Sequence, residues 1–203
     1  GNYAFYGCRG LTSVTIPASV THIGEYAFRG CYYLKSVTYL GESDRIEIPP
    51  SAFVGTPYGR TLPFALIMDG TCATGFVGQI PADLVIPEGV TEIAGSAFVG
   101  IHVGVTSVTI PVSMSRIGAH AFRGCYLLRT VKYLGDESLI DIDASAFYLT
   151  PYADTLPFRL IVEYGDIIGF VGSVPSDLVV PEGVKGVRGD TFAGCGLSSV
   201  TLP

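Results

Sequence analysis

The sequence predicts a β-dominated repeat solenoid of about nine coils of 22–25 residues, each closed by a short α or 3-10 turn. Three observations predict it. The phrase "YAFRGCYYLKSVTYLG" at 26–41 returns as "HAFRGCYLLRTVKYLG" at 120–135, 94 positions later. Phenylalanine recurs in a fixed register: Phe5, Phe28, Phe53, Phe98, Phe122, Phe147 and Phe192 are separated by 23, 25, 45, 24, 25 and 45 residues. The 203-residue chain is 48% hydrophobic, yet its 26 Gly and 13 Pro interrupt every apolar stretch. Its core must therefore be assembled from many short pieces. A phrase repeated at fixed spacing suits a scaffold in which each copy packs on the next, because one coil alone buries too little.

The elements of one coil follow in order. "LTSVTIP" (11–17) sends Leu11, Val14 and Ile16 to one side and Ser13 and Thr15 to the other. That alternation and the β-branched content predict a strand, closed by Pro17. "VTHIG" (20–24) predicts a second short strand ending at a Gly turn. "EYAFRGC" (25–31) is too short for a free helix, so a single α or 3-10 turn is expected, with its Phe plugging the interior. A branched aliphatic stands five residues before each later Phe: Ile23, Ile48, Ile93, Ile117, Ile142 and Val187. Each 45-residue gap is read as two turns of one length, one of which has lost its Ala-Phe signature. Residues 52–91 align with 146–185 without a gap, a little over half of them identical. The whole is a single solenoid domain over 1–203 with an internal tandem duplication, 26–97 against 120–191. It starts and stops inside repeat phrases and carries no signal peptide, so it is read as a fragment of a longer array.

The totals exclude several classes. A net charge of −6 and a pI near 4.9 do not supply the basic stripe that nucleic acid requires. The mean hydropathy of +0.46 is high, but no apolar run approaches the ~20 residues of a membrane helix.

"LTSVTIPASVTHIGEYAFRGC" closely resembles the BspA-like, or treponemal-type, leucine-rich repeat, with its linked Leu-x-x-Val-x-Ile-Pro, Val-Thr-x-Ile-Gly and Ala-Phe-x-Gly-Cys segments. The same words return as "VTSVTIPVSMSRIGAHAFRGC" (105–125) and "LVIPEGVTEIAGSAF" (84–98). The commonest leucine-rich repeats instead carry an Asn ladder, and Asn2 is the only Asn here. The resemblance implies an α/β leucine-rich-repeat solenoid, horseshoe-like, displayed extracellularly or at the cell surface, usually of a bacterium. It also implies a non-enzymatic adhesin that contacts other proteins, such as host matrix fibronectin or fibrinogen, or other microbes.

Candidate chemistry is sparse. Cys8, Cys31, Cys125 and Cys195 each stand three residues after a signature Phe, where other coils have Thr56, Ile101 and Thr150. The column is therefore read as packing, with a Cys8–Cys31 disulfide left open and Cys72 inert. His22, His102 and His120 lie at unrelated phases, and no paired Cys-x-x-Cys occurs, so no metal site is expected. No Gly-x-Ser-x-Gly elbow is present, and "GVKGVRG" (183–189) lacks the Gly-Lys-Ser/Thr of a phosphate loop. The recurring pairs Asp83/Glu88 and Asp177/Glu182 suit either a solvated edge or, less simply, acid–base work or calcium. No enzyme activity and no cofactor are expected.

The outward rows of the first strands are the candidate binding surface: Lys35, Ser36, Thr38, Thr109, Arg129, Thr130 and Lys132. Thr15, Thr201, Ser13, Ser107 and Ser199 continue the rows. Tyr39 and Tyr133 fall in the Ile16 column and are assigned to the core, whereas Tyr32 and Tyr126 stay unassigned. An interaction platform and a plain solvated face remain equal readings. A structural spacer and a carbohydrate-binding solenoid are the alternatives, although no Tyr-lined groove is evident and Trp is absent.

Overall fold

The computed structural model describes residues 1–41, 45–99 and 104–203. Ile101 and His102 lie outside them. The chain divides into two compact units, Gly1–Pro81 and Ala82–Pro203. The first unit contains β1 (Ser13–Ile16), β2 (Ser36–Tyr39), β3 (Ala65–Asp69) and β4 (Cys72–Val77). The second contains β5 (Asp83–Val85), β6 (Glu92–Ile93), β7 (Ser107–Ile110), β8 (Arg116–Ile117), β9 (Thr130–Tyr133), β10 (Asp141–Ile142), β11 (Arg159–Glu163), β12 (Asp166–Val171), β13 (Asp177–Val179), β14 (Gly186–Val187) and β15 (Ser199–Thr201).

Most laps begin on a first strand that pairs in parallel with its counterpart in a neighbouring coil. β1 pairs with β2, Val14 against Val37 and Ile16 against Tyr39. β5, β7 and β9 form one parallel ladder, and β13 pairs with β15. The second strands are two residues long and also parallel, as in β6–β8–β10. Alternation decides burial: Leu84, Val108 and Ile110 are 0–1% exposed, while their neighbours along the strands face outward.

The segment around most signature Phe is a run of β-turns rather than an α turn, and Phe53 closes the 3-10 turn Pro50–Phe53. No α-helix forms among the described residues; the helical pieces are short 3-10 turns, such as Pro50–Phe53 and Pro151–Thr155. The reason lies in the hydrogen bonds. Ala27 N donates locally to Gly24 O, but Phe28 N donates to Ala52 O of the next coil (2.9 Å). The pattern recurs with Ala121 N to Gly118 O and Phe122 N to Ala146 O (2.8 Å). An α turn would direct every N–H along its own axis; here alternate donors serve as rungs between coils. The geometry requires positive φ on both sides of the Phe. Tyr26 (φ 53) and His120 (φ 57) adopt it two residues before, and Gly30 (φ 80) and Gly124 (φ 73) two residues after. Glycine bears that conformation without steric cost, which accounts for the Gly in "AFRGC".

The Phe rings stack into columns. Phe28 lies between Phe5 and Phe53, at 5.1 Å from each. In the second unit Phe122 lies 5.0 Å from Phe98 and 5.4 Å from Phe147, with planes within 5° of parallel. The spacing is close to the ~4.8 Å strand repeat, so the rings follow the backbone ladder.

The 45-residue gaps prove to be two laps of unlike construction. The lap that breaks the signature has no first strand. It runs through a second 3-10 turn into an antiparallel hairpin, β3–β4 in one unit and β11–β12 in the other. The Phe is not lost: Phe170 on β12 stacks on Phe192 at 5.7 Å, and Phe76 holds the same place in the duplicate. Gly75 and Gly169 replace the preceding Ala. With these two the sequence carries nine such Phe at intervals of 22–25 residues, bounding about eight turns. The branched aliphatic moves as well. Ile167, three residues before Phe170 rather than five, pairs with Val187 of β14, because extended chain needs fewer residues than a turn to cover the same distance.

Candidate protein-interaction surface

The predicted residues fall into one group in each unit. In the first, Ser36 and Thr38 on β2 stand opposite Ser13 and Thr15 on β1. Lys35 precedes them, its N–H donating to Thr12 O at 2.9 Å. In the second, Thr109 stands opposite Lys132, and Thr130 opposite Ser107, while Arg129 N donates to Thr106 O at 3.0 Å. Lys35, Ser36, Thr38, Arg129, Thr130 and Lys132 are exposed, and Thr109 is half-buried. The rows are less uniformly Ser/Thr than the sequence suggested. β5 contributes Asp83 and Val85 at the same register positions, and β13 contributes Asp177 and Val179. Val85 and Val179 are 60% and 67% exposed.

Tyr32, Tyr33 and Tyr126 are all more than half exposed. They stand in the turns leading to Lys35 and Arg129 and add aromatic area there. The Arg9 guanidinium lies 5.8 Å from the Tyr32 ring centre. The sequence offered no phase for Tyr32 and Tyr126, because they sit between the Phe turn and the strand, where neither the 2-residue nor the coil period applies. Tyr39 and Tyr133 are half-buried rather than fully interior. Burial pushes both phenols well above their ordinary pKa, aided by Tyr58 beside Tyr39 and by Tyr152 beside Tyr133.

Asp83, Glu88 and Asp177 of the duplicated phrases are ties between coils. Asp83 Oδ1 accepts from Ser107 Oγ at 2.6 Å, and Asp177 Oδ1 from Ser199 Oγ at 2.5 Å. Glu88 accepts from Val112 N at 3.0 Å and Ser113 N at 3.3 Å. These donors sit one coil ahead, a relation that only the stacked structure creates. The bond from Val112 N, with those from Ser113, holds the Glu88 carboxyl below its usual range, and Ser199 and then Ser176 do the same for Asp177. A lowered folded-state pKa stabilises the fold above the unfolded pKa of about 4, and that contribution is lost as pH falls through the folded value. Glu88→Gln is therefore expected to flatten the acid limb of urea midpoints measured between pH 3 and pH 7. Parallel curves for the variant and the parent chain would refute the tie.

The thiols of Cys31 and Cys125 are buried packing groups, whereas Cys8 is exposed. Cys8, Cys31 and Cys195 are free, which closes the Cys8–Cys31 question for this structure. Cys31 Sγ donates to Phe5 O at 3.1 Å, and Cys125 Sγ to Phe98 O at 3.3 Å. Thr56 and Thr150 take the same column in the laps that lead to the hairpins. Each hydroxyl donates to the Phe carbonyl three residues back, and each accepts an N–H from the following turn, Gly59 or Ala153. His120 Nε2 pairs with Glu163 at the tip of β11, and His22 Nδ1 lies 3.5 Å from Glu47. No group of three metal-ligating side chains occurs among the described residues.

One feature of the first unit corrects the sequence reading. Tyr6, Tyr26 and Tyr32 line a cavity of about 360 Å³ with Arg29 and with Thr74 and Gly75 of the hairpin. Tyr26 stacks on Tyr3 at 5.4 Å, and the Arg29 guanidinium lies 5.4 Å from the Tyr26 ring centre. A Tyr-lined groove exists; it joins residues up to 69 positions apart in the chain.

Stacked parallel coils, a plugged Phe column and outward polar strand rows define a leucine-rich-repeat solenoid. Six copies of the BspA type leucine rich repeat region match residues 1–61 and 76–165, and the chain belongs to that family. No curated protein matches the sequence. Among solved structures the chain is similar to a leucine rich cell surface protein from Faecalibacterium prausnitzii A2-165, at 19% identity over 98% of this chain and 62% of that one, TM-score 0.44. It is also similar to a leucine-rich repeat protein from Bacteroides ovatus ATCC 8483, at 22% identity over 100% and 63% of the two chains, TM-score 0.41. A T. pallidum leucine rich repeat protein shares 28% identity over 70% and 68%, TM-score 0.36. The chain spans less than two thirds of the F. prausnitzii and B. ovatus proteins. No helix among the described residues is long and apolar enough to cross a membrane.

Proposed function

We propose that the chain is a non-enzymatic protein-binding module, displayed extracellularly at a cell surface and used in adhesion to host matrix proteins or other cells. The observation that carries this reading is the exposed strand face of each unit: Lys35, Ser36 and Thr38 in one, and Thr109, Arg129, Thr130 and Lys132 in the other, flanked in sequence by exposed Tyr32, Tyr33 and Tyr126. Parallel strands hold these side chains at fixed spacing before any partner arrives. Little ordering entropy then opposes binding, and Tyr and Arg are the residues that protein interfaces favour. Basic groups on a chain of net charge −6 also orient an acidic partner patch toward the strand face.

Biolayer interferometry against immobilised fibronectin and fibrinogen tests the reading, with Lys35→Glu/Arg129→Glu/Lys132→Glu as the paired variant. Saturable binding that the triple variant loses is the expected result. Absence of binding to both proteins removes these partners and favours the spacer. A second reading, carbohydrate binding, draws on the Tyr6–Tyr26–Tyr32 cavity, since sugar rings pack on tyrosine faces and hydrogen-bond to Arg29. Oligosaccharides on the same sensor separate the two: a sugar signal that the triple variant retains belongs to the cavity rather than to the strand face.

A further inference from the structure

A cavity of about 530 Å³ opens in the second unit, between the 3-10 turn Glu137–Leu139 and the start of the β11–β12 hairpin. Its floor is apolar: Ile142, Phe147, Leu156 and Val171. Four polar groups converge on it. The Tyr133 hydroxyl is buried beside the Tyr152 phenol and has no hydrogen-bond partner within 3.5 Å. Asp143 is held by Ser145, whose N–H and Oγ both donate to Oδ1 at 2.9 and 2.6 Å, which leaves Oδ2 for another donor. Arg159 and Glu137 are exposed at the rim, and neither has a salt bridge or side-chain hydrogen bond among the described residues.

The duplication shows which of these groups the fold needs. Subtracting 94 from each floor residue gives Ile48, Phe53, Leu62 and Val77, identical in every case. The same step takes Tyr133 to Tyr39. The charged groups behave differently: Asp143 corresponds to Pro49, Arg159 to Ala65 and Glu137 to Ser43. The coil therefore folds with the floor alone, and the three charges are peculiar to the second copy.

We infer that this cavity is a binding site for a small zwitterion with an apolar body, of the apolar amino acid or dipeptide class. The floor takes the hydrocarbon side chain. Arg159 receives the carboxylate, Glu137 and the free Oδ2 of Asp143 receive the ammonium group, and the buried Tyr133 hydroxyl gains a close hydrogen-bond partner. A cation or an anion alone leaves one rim charge unanswered, whereas a zwitterion answers both signs. The volume lies in the ~300–1,000 Å³ range of small-molecule sites.

Isothermal titration of the 203-residue chain with L-leucine, L-phenylalanine and Leu-Leu tests the site. Leucinamide, which lacks the carboxylate, and N-acetyl-leucine, which lacks the ammonium charge, run beside them. Saturable binding of at least one zwitterion is expected. Arg159→Ala, which restores the residue of the first copy, should weaken it about tenfold, the scale of one charge-assisted hydrogen bond. Leucinamide should bind the parent chain as weakly as the zwitterion binds the variant, and should lose nothing further in the variant. Arg159 is exposed, so an unchanged melting temperature is expected and separates loss of binding from loss of fold. Absence of saturable heat with all three zwitterions overturns the assignment. So does an Arg159→Ala effect that is equally large for leucinamide. Free amino acids and dipeptides are distinguished by which arm binds more tightly.

Discussion

Phe122→Ala is expected to destabilise the second unit by about 3–5 kcal/mol, the usual cost of removing a buried aromatic ring and leaving a cavity. Phe122 is 0% exposed and stacked on both faces by Phe98 and Phe147. Its N–H is also a rung to Ala146, so the backbone is pinned and collapse into the hole is limited. Phe5→Ala is the internal control, because Phe5 is 49% exposed and has a Phe neighbour on one face only. Urea unfolding of both variants is the measurement: a large fall in midpoint for Phe122→Ala and a small one for Phe5→Ala. Equal midpoints would show that the column is not the core. Coils of a solenoid touch only their neighbours, so the transition is also expected to broaden as its midpoint falls.

Gly172→Ala is expected to cost about 2–5 kcal/mol through the backbone alone. Gly172 sits at φ +74, where an L residue bears roughly 1–2 kcal/mol of strain. A Cβ there would lie 2.4 Å from Leu156 O and 2.7 Å from Phe158 N. Both are main-chain atoms that no rotamer change can move, and overpacking of that kind adds about 1–3 kcal/mol. Gly172 N also donates to Ala153 O at 2.9 Å, tying the exit of β12 to the preceding 3-10 turn. Gly183→Ala separates strain from crowding: its φ is +85, but nothing lies within 4 Å of the added carbon. Thermal melts should rank the parent chain above Gly183→Ala and both above Gly172→Ala. Coincident curves for the two variants would assign the whole effect to φ and none to the close approach.

The hairpins were the part of the fold that sequence reading missed, and a signal was present. Gly70-Thr71 and Tyr164-Gly165 stand between β-rich runs, and the registers, Asp69 opposite Cys72 and Glu163 opposite Asp166, leave them as two-residue loops. Both Tyr164 and Gly165 have positive φ, as the tight hairpin turn demands. The solenoid period hid them, because Phe76 and Phe170 keep time with the other coils. The inter-coil acceptors Asp83, Glu88 and Asp177 carried no such signal. Their partners are 22–25 residues away, at positions whose chemistry is otherwise free to vary.

The amino-acid order by itself determined the period, the inward Val-x-Ile of each first strand, the Phe plug and the duplication. Each is a local pattern that repeats, and repetition is visible without coordinates. Only the tertiary structure decided which coil neighbours meet. It converted acidic residues from a solvated edge into hydrogen-bonded ties and gathered Tyr6, Tyr26 and Tyr32 around one cavity. It also left Tyr133, Asp143 and Arg159 facing a second cavity without charge partners of their own. The physical reason is the stack itself. Residues a full lap apart in sequence come within about 5 Å in space, and what they do to one another depends on rotation around the coil, which no linear spacing records.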